Sequence, residues 1–317
     1  MALTNAEILE NASKTYHDLF DSIFENGAPG FYELFSEVIS TDSVLNEIDV
    51  METMPQVREW IGEKTFRDIF VSNFTATVKN YEKSMSFKRM TVTGDRTGKV
   101  AKRLASFLAS GGAGGSIYDL LSTAALVANG LCYDGAALFS ASHPRGPAGA
   151  NQSNITTTAL SFGNHDAINI AGSSLRDNES EPMGISYDTL MVGPKNKKMG
   201  MQITQSTERV FALNAAGAEA TSSVVAAASA PNVFGGGEMA LVVNPRLVGT
   251  YDDYCYYLDT SKGVRPIVGY EMRAPEPVEQ FSMEAEDRFK RDKLNASVEC
   301  DIVFAPAAWQ VAHAIIL

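Results

Sequence analysis

Apolar residues recur at helical spacing in some parts of this chain and at strand spacing in others. Ile8, Ala12, Tyr16, Leu19, Phe20, Ile23 and Phe24 share one helical face, Thr4 and Glu7 form a capping box ahead of them, and Asn26-Gly27 supplies a stop. Such a helix packs either on its own domain or on a neighbouring subunit, and the pattern leaves both open. After Pro29 a short helical piece is expected over residues 30–39. From Ser40 the texture becomes extended. Residues 42–54 mix acidic and apolar positions, Pro55 ends them, and Arg58-Glu59-Trp60-Ile61-Gly62-Glu63 leads into a hairpin. Phe74, Ala76 and Val78 alternate with polar neighbours, as do Met85 and Phe87 and, less regularly, Met90 and Val92. Residues 79–82 between them read as the turn of a long antiparallel hairpin. A lone hairpin is marginal in water, so this one must lie on something.

Helical spacing returns over 96–110, with Val100, Leu104, Phe107 and Leu108 on one face, and over 116–128, with Ile117, Leu120, Leu121 and Ala124. Beyond Asn129-Gly130, the residues Cys132, Tyr133, Leu138 and Phe139 predict extended structure ending at His143-Pro144, followed by a polar loop over 144–154. A short helix is expected over 166–175 and a turn over 177–180. Thr189-Leu190-Met191-Val192-Gly193-Pro194 is a buried-type strand leading to a basic helix start at Lys195, and Met239 to Leu247 repeats the strand-then-proline unit. Between them, 214–231 is Ala, Ser, Gly, Thr and Val in the main, and reads as a flexible loop with room for a short helix. Helices and strands in this order make an α+β pattern.

With 317 residues, 45% hydrophobic and 20% charged, the chain can bury one large core or two modest ones. No signal peptide is expected at its start, and no apolar run approaches the length of a membrane span. Cys132, Cys255 and Cys300 have no paired spacing and read as buried thiols in a reducing compartment. The net charge of -12 makes the whole chain repel a polyanion. Asn73-Phe74-Thr75 and Asn154-Ile155-Thr156 match the glycosylation triplet, a pattern common by chance.

Candidate chemistry is sparse. His17, His143, His165 and His313 are scattered without metal-ligand spacing, and Asp252-Asp253 lacks a calcium pattern. Residues 111–115, Gly-Gly-Ala-Gly-Gly, follow a helix instead of a strand and lack the Lys-Ser/Thr of a phosphate loop, so a break between two helices is the simpler reading. Ser142 and His143 are adjacent, and in an extended segment their side chains point to opposite faces, which argues against a nucleophile and base pair. Cys132, Asp134 and His143 would make a thiol site only if the fold gathered them; ending a strand is the simpler role of His143-Pro144. No catalytic, cofactor-binding or metal-binding residue emerges.

Two landmarks carry a resemblance: Arg58 to Glu63 entering the hairpin, and Tyr133-Asp134-Gly135 leading through Leu138-Phe139 to Ser142-His143-Pro144, with helices between. In that order they resemble the major head (capsid) protein family of Mu-like tailed phages, which has the HK97-type capsid fold. The resemblance implies an N-terminal arm over 1–57, an extended hairpin loop over 58–95, and a peripheral domain with a spine helix over 96–184. An axial domain over 185–280 and C-terminal strands over 281–317 returning to the peripheral domain would follow. It further implies a structural subunit assembling into pentamers and hexamers of an icosahedral head. That head would enclose double-stranded DNA without sequence-specific binding, with portal and scaffolding proteins as partners and no cofactor or membrane. Such a subunit would assemble in the bacterial host cytoplasm and end in the virion. Arg58, Trp60, Phe70, Phe74 and Tyr81 are the expected intersubunit contacts, because an exposed hairpin rarely keeps such aromatics without a partner. A shell protein of a cellular compartment with the same fold, and an enzyme of unknown class, are the alternative readings.

Overall fold

A computed structural model of the chain describes residues 5–26, 30–51, 71–95, 98–109, 115–145, 149–177, 180–213, 226–237, 239–282 and 291–317. Its elements run α1 (Asn5–Asn26), β1 (Ser36–Ser40), β2 (Leu45–Met51), β3 (Val71–Thr77), β4 (Lys79–Lys88), α2 (Arg89–Thr93), α3 (Lys99–Ala109) and α4 (Gly115–Ala128). Then come β5 (Ile155–Thr156), α5 (Phe162–Ser173), β6 (Thr189–Val192), α6 (Lys197–Thr204), β7 (Glu208–Leu213), β8 (Ala226–Pro231) and β9 (Ala240–Val243). The last four are β10 (Cys255–Leu258), β11 (Ile267–Gln280), β12 (Lys293–Pro306) and β13 (Ala312–Ile315). They form two units, Met1–Ile48 with Phe74–Ala128 and Ile267–Ala305, and Asp49–Asn73 with Asn129–Pro266 and Pro306–Leu317. The cuts fall at Ala128 and Pro266, so 129–184 belongs with the second unit, and β11 belongs with the first.

The first unit is a four-stranded sheet in the order β1-β11-β12-β4. Along β12, Leu294, Ala296, Val298, Cys300 and Ile302 are buried while the residues between them are not, the period of two that a one-sided sheet requires. Leu294, Ala296 and Val298 meet Leu9, Tyr16 and Phe20 of α1 and Leu104, Phe107 and Leu108 of α3, whereas Cys300 and Ile302 meet Ile117 of α4. Each such side chain taken out of water contributes about 1.5–3 kcal/mol. The first helix therefore packs on its own unit, and the Tyr16 hydroxyl donates to the Ser297 carbonyl.

Three expectations are corrected here. Only a single 3-10 turn forms over Phe31–Leu34; the rest of the expected helical piece is β1, held by a parallel ladder from Ser36↔Ile267 to Ser40↔Glu271. The turn expected at 79–82 is strand: β4 runs unbroken and pairs with β12 from Ile302↔Lys79 to Lys293↔Lys88. β3 pairs instead with β2, and the Val78 amide donates to the Val44 carbonyl at 2.8 Å where the two meet. The hairpin thus exists, but its arms are β2 and β3. Met90 and Val92, expected as strand, lie in α2.

β11 was not legible as a strand because Pro275 and Pro277 break the expected ladder. Ile267 donates to Phe35 and Glu271 accepts from Thr41, so the odd-numbered backbone groups of β11 point toward β1. β1 ends at Ser40, opposite Glu271, and the prolines fall beyond it on that side, where no N–H is called for.

The second unit is built on a five-stranded sheet in the order β5-β13-β10-β6-β9. β10 is antiparallel to β13 and β6, and β6 is parallel to β9. All four residues of β6 and of β10 are buried, as their continuous apolar runs predict for central strands. α5 begins four residues before the predicted helix, because Ser161 caps it by accepting from the Asn164 amide. Residues 226–231, expected within a flexible loop, are strand β8, antiparallel to β7 from Glu208↔Pro231 to Leu213↔Ala226. Among the described residues no helix is long and apolar enough to cross a membrane.

Candidate functional site

The second landmark folds into a buried polar knot. Residues 129–145 make no long strand; bridges at Leu131↔Ala137 and His143↔Gln152 hold them as a compact loop. Asn129 takes φ 49° and Gly135 φ 77°, and at Gly135 only a residue without a Cβ adopts this turn freely. The turn brings Asp134 Oδ2 to 2.6 Å from His143 Nδ1, with the imidazole fully buried. His143 Nε2 lies 3.0 Å from Asn154 Oδ1. The same oxygen accepts from the Ser140 amide at 2.9 Å, which settles which end of the Asn154 amide is which. Its Nδ2 then donates among the carbonyls of Leu138, Trp309 and Ala312 at 2.8, 3.1 and 3.2 Å. The His143 ring stacks on Trp309 with centroids 3.9 Å apart and planes 4° from parallel.

This arrangement ties the landmark loop to the C-terminal segment and leaves no reactive group free. Both nitrogens of His143 face acceptors and one ring face is covered. Ser142 Oγ accepts from Asn151 Nδ2 at 2.6 Å and makes no contact with the imidazole. Cys132 Sγ donates to the Ala307 carbonyl at 2.8 Å, and burial pushes its thiol up to about 12. Burial likewise pushes Cys255 up to about 12 and Cys300 up to about 11. The fold therefore gathers Asp134 with His143 but turns Cys132 away, so the thiol-site reading fails. All three thiols are expected to resist a disulfide reagent in native protein at pH 8 and to react together on unfolding. Fast titration of any one in the native state would contradict this.

Asn154 was missed as the centre of the knot. It was legible only as the end of a polar loop and as a glycosylation triplet, and its complete burial closes that triplet in the folded chain. Among the described residues no group of three His, Cys, Asp or Glu is placed to hold a metal. Two more histidines are buried in this unit. His165 Nδ1 lies 3.1 Å from Tyr257 Oη and its Nε2 3.1 Å from Asn169 Nδ2, while His313 Nε2 lies 2.8 Å from Thr156 Oγ1. Burial lowers each to about 4.

Of the expected contact residues, Arg58, Trp60 and Phe70 lie outside the described residues, and Phe74 stands in β3. Tyr81 is in β4 opposite Cys300, its ring half-buried against the cluster of Ile117, Cys300 and Ile302. It is thus partly used by its own unit's core.

Comparison with known proteins decides the family. The family model described as Mu-like prophage major head subunit gpT matches residues 9–167, half of the chain, including both landmarks. The chain belongs to this family. A Mu-like head subunit is a structural capsid protein and not an enzyme, which sets the enzyme alternative aside. A curated relative, the Mu-like prophage FluMu major head subunit of Haemophilus influenzae, is 21% identical over 301 residues, covering 93% of this chain and 70% of the relative. The procapsid of bacteriophage JBD30 has a chain similar at TM-score 0.51 and 16% identity, covering 99% of this chain and 76% of that one. A virus-like particle from Pyrococcus furiosus gives TM-score 0.51 at 10% identity, with 96% and 98% covered. The mature capsid of bacteriophage PhiM1 gives 0.50 at 11%, with 92% and 87% covered. At these identities the structures establish the fold, the HK97-type capsid fold.

Proposed function

We propose that this Mu-like head subunit assembles with copies of itself into pentamers and hexamers that close an icosahedral shell around double-stranded DNA. The match to the head-subunit family over residues 9–167 carries the reading, and the capsid fold supports it. Portal and scaffolding proteins are its partners, assembly takes place in the host cytoplasm, and the DNA is enclosed without sequence-specific binding. A wall of net charge -12 suits that last role, because it does not grip the polyanion it contains. Stability of the shell comes from many modest interfaces repeated by symmetry. In this reading the first unit and its helices form the peripheral part of the subunit, the five-stranded sheet its axial part, and β2 with β3 the arms of the extended loop. Arg58, Trp60, Phe70, Phe74 and the uncovered side of Tyr81 make contact with a neighbour.

Negative-stain microscopy of the purified protein, alone and co-expressed with scaffold, tests this. Closed shells, rings or tubes are expected. A uniform monomer with scaffold present would refute it. Phe70→Glu and Phe74→Glu are each expected to leave a folded subunit that fails to close shells, and normal particles from both would remove these residues from the contact.

A further inference from the structure

Charge is segregated along this chain. Residues 79–103 hold eight of its 26 Lys and Arg and two of its 38 Asp and Glu, whereas residues 15–57 hold nine acidic residues and no Lys or Arg. The fold separates the basic residues from Lys88 to Arg103 from the acidic residues of β1 and the turn into β2, at different corners of the first unit's sheet.

The basic corner lies where β4 ends. Lys88 stands directly opposite Lys293 in the antiparallel register, a like-charge pair that costs stability unless an anion answers it. The chain turns there into α2, and a groove beside it is lined by Met90, Thr91, Lys99 and Arg103. Among the described residues nearby, Asp292 pairs with Arg89 at 2.6 Å, and Asp95 accepts from the Val100 amide at 2.7 Å. Lys88, Lys99, Lys102 and Arg103 are exposed and make no ion pair among the described residues. Met90, 75% exposed, sits in their midst.

The acidic corner lies at β1 and the turn into β2. Glu37, Asp42 and Glu47 are exposed around Val44 and Leu45, which are 54% and 58% exposed. This strip is held in place: Thr41 Oγ1 donates to Asn46 Oδ1 at 2.6 Å, and Tyr270 Oη donates to the Glu47 carbonyl at 3.1 Å. A preordered strip loses little entropy on docking.

The Val78 amide donates to the Val44 carbonyl at 2.8 Å, which puts the acidic strip beside the start of β4. Lys88 stands at the other end of β4, about 33 Å away along the strand. One copy cannot join its own corners. We propose that the basic corner of one subunit docks the acidic strip of a second copy, with Met90 seated against Val44 and Leu45 inside a ring of opposite charges. This rests on the shell-forming reading and names a contact within it. Because the two patches differ, the contact is head-to-tail, and repeated by rotation it closes a ring. Apolar centre and charged rim match the anatomy of protein interfaces, with the charges setting partner and register. Nucleic acid fits less well, since the exposed methionine offers it nothing and the whole chain repels it.

Two variants test the contact: Lys99→Glu with Arg103→Glu, and Asp42→Lys with Glu47→Lys. Each is first shown to keep the wild-type circular dichroism and melting temperature, then assembled under the conditions in which wild type forms particles. Either variant alone presents like charges on both corners and is expected to lose at least tenfold in particle yield by sedimentation. An equimolar mixture pairs complementary corners where the two variants alternate, which a ring of six allows and a ring of five does not, so it is expected to recover rings, sheets or tubes of hexamers. Particles from either variant alone at wild-type yield, or a mixture that stays unassembled, would overturn the contact while leaving the shell reading intact. Wild type that never associates, even with scaffold, would overturn both. A short DNA duplex retained by wild type and released by Lys99→Glu with Arg103→Glu, with unchanged particle yield, would assign the basic corner to nucleic acid instead.

Discussion

Asn154→Ala is expected to destabilise the second unit by on the order of 3–5 kcal/mol, the largest effect of any single polar substitution in it. The side chain is fully buried and serves five partners: the amide of Ser140, the ring of His143, and the carbonyls of Leu138, Trp309 and Ala312. Removing it strands those groups, and each buried polar group left without a partner costs about 1–3 kcal/mol, less where water enters. Asn154→Asp is the sharper control. It keeps the shape but replaces a donor by a negative oxygen facing three carbonyls, so at pH 7 it is expected to be at least as damaging as alanine. Urea unfolding followed by tryptophan fluorescence measures both, since Trp309 stacks on His143 in the knot and reports its opening. An alanine variant within about 1 kcal/mol of wild type would mean the knot is incidental to stability.

The second unit is also expected to weaken in mild acid. His165 and His313 are held neutral by burial, each lowered from 6.5 to about 4. Their folded values lie below the unfolded value, so between pH 4 and 6.5 the unfolded chain binds more protons than the folded one. The contribution is therefore complete above about pH 6.5 and is lost as pH falls toward 4, at about 1.4 kcal/mol per pH unit for each histidine. Over the whole window that amounts to about 3 kcal/mol apiece. Urea midpoints taken from pH 7 to 4.5 should fall steeply, and His165→Gln with His313→Gln should flatten the curve. The glutamine amides can still reach Tyr257 and Thr156 but do not titrate. An equally steep fall in the double variant would place the acid sensitivity in other groups.

Both effects arise at residues whose roles no local pattern reveals. Asn154 reads in sequence as a loop residue because its partners lie in Leu138 to Ser140 and, far along the chain, in Trp309 and Ala312. His143 and Asp134 were visible as a landmark, yet their meeting depends on a turn at Gly135 whose left-handed backbone is invisible to hydrophobic spacing. Cys132 lies beside them in sequence and still faces the other way, toward Ala307. Adjacency along an irregular loop says little about direction, since neither the helical nor the strand period applies there.

By itself the sequence determined the elements whose signal is local and repetitive. α1, α3 and α4 follow from apolar residues recurring on one helical face, and β6, β9 and β10 follow from short apolar runs bounded by proline, polar or acidic turns. It also determined the family, through the order of two landmarks that the head-subunit match later spanned. Tertiary structure alone decided which strands pair. β3 left β4 for β2, β1 formed where a helix was expected, β8 rose from a stretch of alanine and serine, and β11 carried two prolines through a sheet. A strand makes none of its ladder hydrogen bonds within itself, so its propensity is written in its neighbours as much as in itself. A helix satisfies its own backbone, and that is why its sequence suffices to find it.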